Sequence, residues 1–199
     1  EEGDRDFTGY LANIARIAES VSVPVIVKEV GCGIGREQAK LLADNGVKAI
    51  DVGGMGGTNF LAIEGARSQL SISRELLSWG IPTAISAIET MSVLPENMDM
   101  MVSGGVRTPL DVVKCLALGG SAAGIAMPII RMLYEKEIED AIEWFNDFLH
   151  DIKCYMLLSG AGKVKDAKKV PVVITGYSRE WLLGRGIDIT KYGMDRKHD

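Results

Sequence analysis

Apolar residues at three- and four-residue spacing alternate along this chain with short unbroken apolar runs, which predicts helices and buried strands in turn. FTGYLANIARIAESV (7–21) has the helical spacing and leads into SVPVIVKEVG, a β-branched run between Pro24 and Gly31 that predicts a buried strand. IGREQAKLLADNG (34–46) is helical and stops at Gly46, a suitable left-handed cap. VKAIDVGGMGG is a short strand running into glycines. Residues 58–95 hold helical segments around AIEGARSQL and AISAIETM, with a turn at Gly80-Ile81-Pro82. MDMMVSGG is another strand ending in glycines, TPLDVVKCLALGG another helix, and SAAGIAMP a further strand closed by Pro128. A helical stretch over 131–160, a charged linker KVKDAKK (163–169) and a tail, PVVITGYSREWLLGRGI, with a short extended piece and a last helix complete the pattern.

The order is one helix, then strand and helix in repeated alternation, then a helical tail. Continuous apolar strands between helices argue for a parallel sheet covered by helices. Two architectures fit: a doubly wound sheet, or part of a (βα)₈ barrel. A full barrel takes ~250 residues and eight strands. With four good strands, a barrel reading makes this chain half of one.

Composition narrows the function classes. The 199 residues are 47% hydrophobic and 25% charged, ordinary globular proportions. The 23 glycines exceed the ~7% average share and, without a repeat, mark tight turns. A net charge of −5 disfavours a nucleic-acid-binding face but leaves room for a small anionic ligand on a locally positive loop. No apolar run approaches the ~20 residues of a membrane span, and the acidic opening EEGDRDF does not read as a secretory signal. Cys32, Cys115 and Cys154 are odd in number and far apart, which predicts buried reduced thiols in a reducing compartment. His150 and His198 are the only histidines, so chemistry needing a histidine cluster is not expected.

The candidate chemistry sits at the strand ends: Lys28-Glu29-Val30-Gly31, Gly53-Gly54-Met55-Gly56-Gly57-Thr58, Ser103-Gly104-Gly105-Val106-Arg107 and Gly124-Ile125-Ala126. In parallel α/β folds the carboxyl ends of strands form the ligand face, and glycine lets backbone N–H groups approach a ligand. Each glycine pair taken alone equally serves a tight strand-to-helix turn; their recurrence favours a shared ligand. Thr108 can cap the next helix and Pro109 suits its first turn, so that helix start is expected to offer unpaired donors to a phosphate. Gly124-Ile125-Ala126 can contribute only backbone amides, or merely close packing. Lys28 breaks the apolar run Val23–Val27 and needs an anionic partner, either Glu29 or Asp51 or an electron-rich ligand. Thr58 either donates a hydroxyl hydrogen bond to a ligand or caps the following helix. Glu64, Arg67, Glu89 and the run Lys163–Lys169 read as solvated faces and linker. The methionines and tryptophans read as packing, with Trp79 a candidate pocket wall.

Together VPVIVKEVGCGI, DVGGMGGTNF, SWGIPTA, SGGVRTPLDVVKCLALGG and AAGIAMP resemble the C-terminal half of the type 2, FMN-dependent isopentenyl-diphosphate isomerases, as does EEGDRDF. The likeness runs over residues 1–189. It implies a TIM (β/α)₈ barrel, with strands five to eight in residues 1–160 and residues 161–199 as a tail whose short helix packs on the barrel. It also implies a cytoplasmic isomerase of isoprenoid biosynthesis. That enzyme interconverts isopentenyl and dimethylallyl diphosphate with reduced FMN and Mg²⁺, NADPH supplying electrons, in a homotetramer or octamer.

Carried over position by position, the resemblance makes Lys28 the flavin-ring lysine and Thr58 an FMN contact. Gly104, Gly105 and Val106 become the phosphate cradle, and Ile125 and Ala126 the contact after the last strand. Gly53 stands where many relatives have serine, which removes a hydroxyl and leaves a backbone contact. The resemblance assigns no catalytic or metal-binding residue to this chain; those groups are expected N-terminal to Glu1, in a longer polypeptide. The segment alone is expected to be inactive. Two other readings remain. A 2-hydroxy-acid oxidase needs a histidine, and an inosine-monophosphate dehydrogenase a cysteine, where this chain has GGMGGTNF. A non-catalytic flavin- or phosphate-binding half barrel is the other class.

Overall fold

The computed structural model describes residues 6–69 and 71–194, so the first residues of EEGDRDF, and His198, lie outside the described residues. Helix α1 (Tyr10–Ser20) precedes the strands β1 (Ile26–Lys28), β2 (Ala49–Asp51), β3 (Asp99–Ser103) and β4 (Ala122–Gly124). All strand pairs are parallel and the spatial order is β1-β2-β3-β4, with Lys28 opposite Asp51 and Asp51 opposite Met101. A doubly wound sheet reverses its order at a switch point. This one runs in chain order, as the wall of a barrel does.

Between the strands lie α2 (Arg36–Asp44), α3 (Phe60–Ser68), α4 (Arg74–Leu77), α5 (Thr83–Met91) and α6 (Pro109–Ala117). The helical stretch expected over 131–160 is two helices, α7 (Met127–Glu135) and α8 (Ile138–Leu158). Pro128 opens α7 instead of closing β4, because proline's missing N–H costs nothing in a first turn. The expected linker contains a short helix, α9 (Val164–Ala167), whose Ala167 is buried with Val113, Leu116 and Met156. The tail adds α10 (Gly176–Gly184) and α11 (Thr190–Gly193).

Strand residues alternate between faces. Val27, Ile50, Met100 and Val102 face the helices and join the main core with Ile85, Ile88 and the tail's Leu182. Ile26, Ala49, Asp99 and Met101 line the other face, around an open hollow of about 620 Å³. The expectation of a buried β1 is therefore half wrong: Ile26 is 52% exposed. A β-branched run reads as covered on both sides, whereas among the described residues only its helix side is.

Helix α5 runs through the centre, buried from Ile85 to Thr90. Glu89, expected on a solvated face, is 1% exposed. Burial alone would raise its pKa. The Arg36 N–H at 3.0 Å, the Trp181 indole at 2.8 Å and the Arg185 guanidinium at 3.1 Å outweigh that and hold it below the usual carboxylate value. Arg185 also reaches Glu37 at 2.6 Å, so one arginine ties α10 to α5 and α2. Trp181 and Arg185 stand more than ninety residues from Glu89 in sequence, beyond the reach of local pattern. Glu64 and Arg67 do form an exposed pair on α3.

Candidate functional site

The loops leaving the carboxyl ends of all four strands converge on a cleft of about 460 Å³. Lys28, Gly53, Thr58, Gly104, Gly105, Val106, Ile125 and Ala126 all line it. All the site residues expected from the sequence are thus brought to one place.

Strand register explains the position of Lys28. It lies opposite Asp51 on the inner face, and its ammonium meets Asp51 Oδ2 at 3.0 Å and donates to Ser103 Oγ at 3.1 Å. Ser103 Oγ donates in turn to Asp51 Oδ1 at 2.6 Å. Asp51 is buried and the Lys28 side chain is 53% exposed, so the carboxylate anchors a cation that still faces the cleft. The ion pair and a ligand-directed cation are therefore compatible; one holds the lysine for the other.

Glu29 shapes the first loop. Its carboxylate accepts from the N–H of Gly31 at 2.6 Å, of Cys32, and of Gly33 at 3.0 Å. Cys32 is exposed in this turn, contrary to the expectation of buried thiols. Partial desolvation and the Glu29 carboxylate push its thiol pKa up, which disfavours a nucleophilic role. Cys115 does behave as expected, burial pushing it up to about 12. Trp79 is 74% exposed, no packing residue, and walls a side hollow with Val30, Met55 and Phe60.

The phosphate expectation needs one correction. The α6 start offers few donors: Pro109 has no N–H, Asp111 accepts from the N–H of Arg107 at 3.2 Å and of Thr108 at 3.0 Å, and in the first turn only the Leu110 N–H has no acceptor among the described residues. Thr108 Oγ1 accepts from Asp111 N–H at 3.1 Å, closing a capping box. The open donors lie just before it. Among the described residues the N–H groups of Gly104, Gly105, Val106, Ile125 and Ala126 have no protein acceptor. Val106 is itself 6% exposed. Unpaired donors gathered in one concavity are costly unless an anion or water takes them up.

The remaining loop residues keep that concavity open. A Cβ on Gly57 would stand 2.7 Å from the Gly105 nitrogen, in the space an incoming oxygen would need. Arg107 straps the loops together, donating to Gly105 O at 2.8 Å and Gly56 O at 2.7 Å. The cap of α3 is Asn59, whose side chain accepts from Ala62 N–H at 3.0 Å. Thr58 is thereby relieved of capping, and its hydroxyl has no protein partner among the described residues.

Gly53 has φ +45°, and an added Cβ would lie 1.8 Å from Glu29 O. A serine at this position does not fit this backbone. Gly53→Ser is expected to destabilise the fold by about 2 kcal/mol, a fall of roughly 4–8 °C in melting temperature, without tightening flavin binding. A thermal melt beside a flavin titration checks it.

Glu29 was expected only as an alternative partner of Lys28, and neither Arg107 nor Thr83 was assigned a role. A carboxylate two residues before Gly-Cys-Gly, and a long donor after Gly-Gly, are signals that could have found the first two.

These groups suit a phosphorylated, electron-rich ligand: backbone donors for the phosphate, a fixed ammonium and a free hydroxyl for the rest. Among the described residues no three His, Cys, Asp or Glu side chains converge as a metal site, and no helix is long and apolar enough to cross a membrane.

The chain is similar to known proteins along most of its length. Residues 5–173 match the FMN-dependent dehydrogenase family. The chain is 46% identical to an isopentenyl-diphosphate delta-isomerase of Geobacillus sp. (strain WCH70), over 96% of its own length and 54% of that protein's. It is 38% identical to one from Methanopyrus kandleri, over 94% and 52% respectively. The chain therefore spans about half the length of the curated relatives it matches. Among solved structures, a Pediococcus acidilactici protein described as a lactate oxidase superposes with a TM-score of 0.63 at 22% identity, covering 84% of this chain and 41% of that one. A mandelate oxidase with benzoyl-formic acid gives 0.60 at 20%, covering 82% and 44%. At such identity these two speak for the fold alone.

Proposed function

Because this chain belongs to the FMN-dependent dehydrogenase family, we propose that it forms the phosphate-gripping half of a flavin barrel that interconverts isopentenyl and dimethylallyl diphosphate. The observation that carries the reading is the meeting of two features in one cleft: unpaired N–H groups on the β3 and β4 loops, and the anchored ammonium of Lys28. The identity to curated isomerases supports the choice of reaction.

In this reading Gly104, Gly105, Val106, Ile125 and Ala126 bind the FMN phosphate through backbone donors, and Thr58 and Gly53 contact the cofactor beside them. Bound and reduced, FMN supplies an electron-rich ring able to exchange a proton without net redox change. Lys28, held by Asp51 and Ser103, places a positive charge where negative charge on that ring is stabilised. Such attraction strengthens as water leaves the site. Mg²⁺ and the acid–base groups belong to residues outside this chain, NADPH serves as reductant, and the working form is a cytoplasmic homotetramer or octamer.

The oxidase alternative is weakened by the loop Gly53–Thr58, which carries no histidine. The test is an assay of a protein of the relatives' length containing this segment, with isopentenyl diphosphate, reduced FMN and Mg²⁺. Dimethylallyl diphosphate is the expected product, and none is expected from the 199-residue segment alone. A long protein that binds FMN but never converts the substrate would instead establish a non-catalytic flavin module.

A further inference from the structure

We propose that Thr83, the first residue of α5, is a positioning residue that aims the phosphate cradle without touching the ligand. This rests on the phosphate reading above. The Thr83 hydroxyl donates to Gly104 O at 2.6 Å, and its N–H donates to Met55 O at 3.3 Å. Gly54 packs so closely against it that an added Cβ there would lie 2.3 Å from Thr83 Cα. The side chain is therefore fixed between the β2 and β3 loops.

The consequence follows from peptide geometry. Among the described residues no peptide bond is cis, and in a planar trans peptide the C=O and the next N–H point in opposite directions. Fixing Gly104 O on Thr83 turns the Gly105 N–H away from α5. That N–H has no protein acceptor among the described residues, and the space beside it is the one a Cβ on Gly57 would fill. Gly104 has φ +106° and Gly105 φ +75°, so this peptide is free of side-chain constraints. Without an external hydrogen bond it can rotate, and a rotated peptide presents a carbonyl oxygen to the phosphate in place of a donor. Arg107 fixes the following carbonyl, that of Gly105, in the same manner. The β3 loop is thus set by two side chains, and the one from α5 is unrelated to the glycine motif itself.

The test separates phosphate recognition from folding by comparing FMN with riboflavin, which lacks the phosphate. Dissociation constants for both are measured by flavin fluorescence on a protein of the relatives' length, as wild type, Thr83→Val and Thr83→Ser. Wild type is expected to prefer FMN strongly. Thr83→Val, which keeps shape but loses the hydroxyl, is expected to reduce that preference about tenfold, and Thr83→Ser to retain it. Should Thr83→Val fail to fold in a thermal melt, Thr83→Ala carries the same comparison.

A Thr83→Val protein with the full preference for FMN, or one weakened equally toward both flavins, would overturn the role of Thr83 and leave the cradle standing. A wild type that does not distinguish FMN from riboflavin would overturn the cradle itself.

Discussion

Lys28→Ala, in a protein of the relatives' length, is expected to slow isomerisation about a hundredfold while lowering stability by only ~1 kcal/mol. The asymmetry follows from where the lysine sits. Its side chain is 53% exposed at the cleft, so the pair with Asp51 is partly screened and contributes little to folding. Asp51, once deserted, keeps the Ser103 hydroxyl at 2.6 Å and the Gly53 N–H at 3.3 Å. What is lost is a fixed positive charge beside the proposed flavin ring. The flavin reduction potential should fall, since the negatively charged reduced form is no longer favoured. Turnover, potential and melting temperature measured on one preparation decide the matter. An unchanged potential with unchanged turnover would reject a cofactor-tuning lysine.

The second large effect is on stability. Glu89→Ala is expected to cost about 3 kcal/mol, because it strands the Arg36 N–H, the Trp181 indole and Arg185 around a void in the last turn of α5. The effect carries a pH signature. Glu89 has a folded pKa below its ordinary value of 4.5, so the unfolded chain binds its proton more readily. Its contribution is therefore present above about pH 4.5 and is lost as pH falls through the folded value. Urea unfolding at neutral pH and at pH 3–4 should show a wide gap between wild type and variant that narrows on acidification. A variant within ~0.5 kcal/mol of wild type at neutral pH would contradict the network.

These two residues also mark what the sequence disclosed and what it withheld. Lys28 was legible because a charge ending an apolar strand is a local anomaly, and the glycines because they recur at equivalent strand ends. The barrel-like order followed from alternation, although alternation alone left a doubly wound sheet open until β1 to β4 proved to run in chain order. Glu89 was not legible. On α5 its neighbours make an ordinary amphipathic pattern, and only Trp181 and Arg185, brought back by the tail, turn that position inward. The α6 capping box shows a subtler limit. Thr108 and Pro109 correctly announced a helix start, but Pro109 has no N–H and the capping box takes up those of Arg107, Thr108 and Asp111. The open N–H groups lie on the residues before it, where hydrogen bonding in three dimensions, not composition, leaves them unpaired.

The central claim is that these loops seat the phosphate of FMN. A crystal structure of the longer protein grown with FMN tests it most directly. Phosphate oxygens within ~2.7–3.2 Å of the Gly105, Val106 and Ala126 nitrogens, with the Lys28 ammonium beside the flavin ring, are the expected result. A phosphate bound elsewhere, with those nitrogens covered by protein groups, would contradict it.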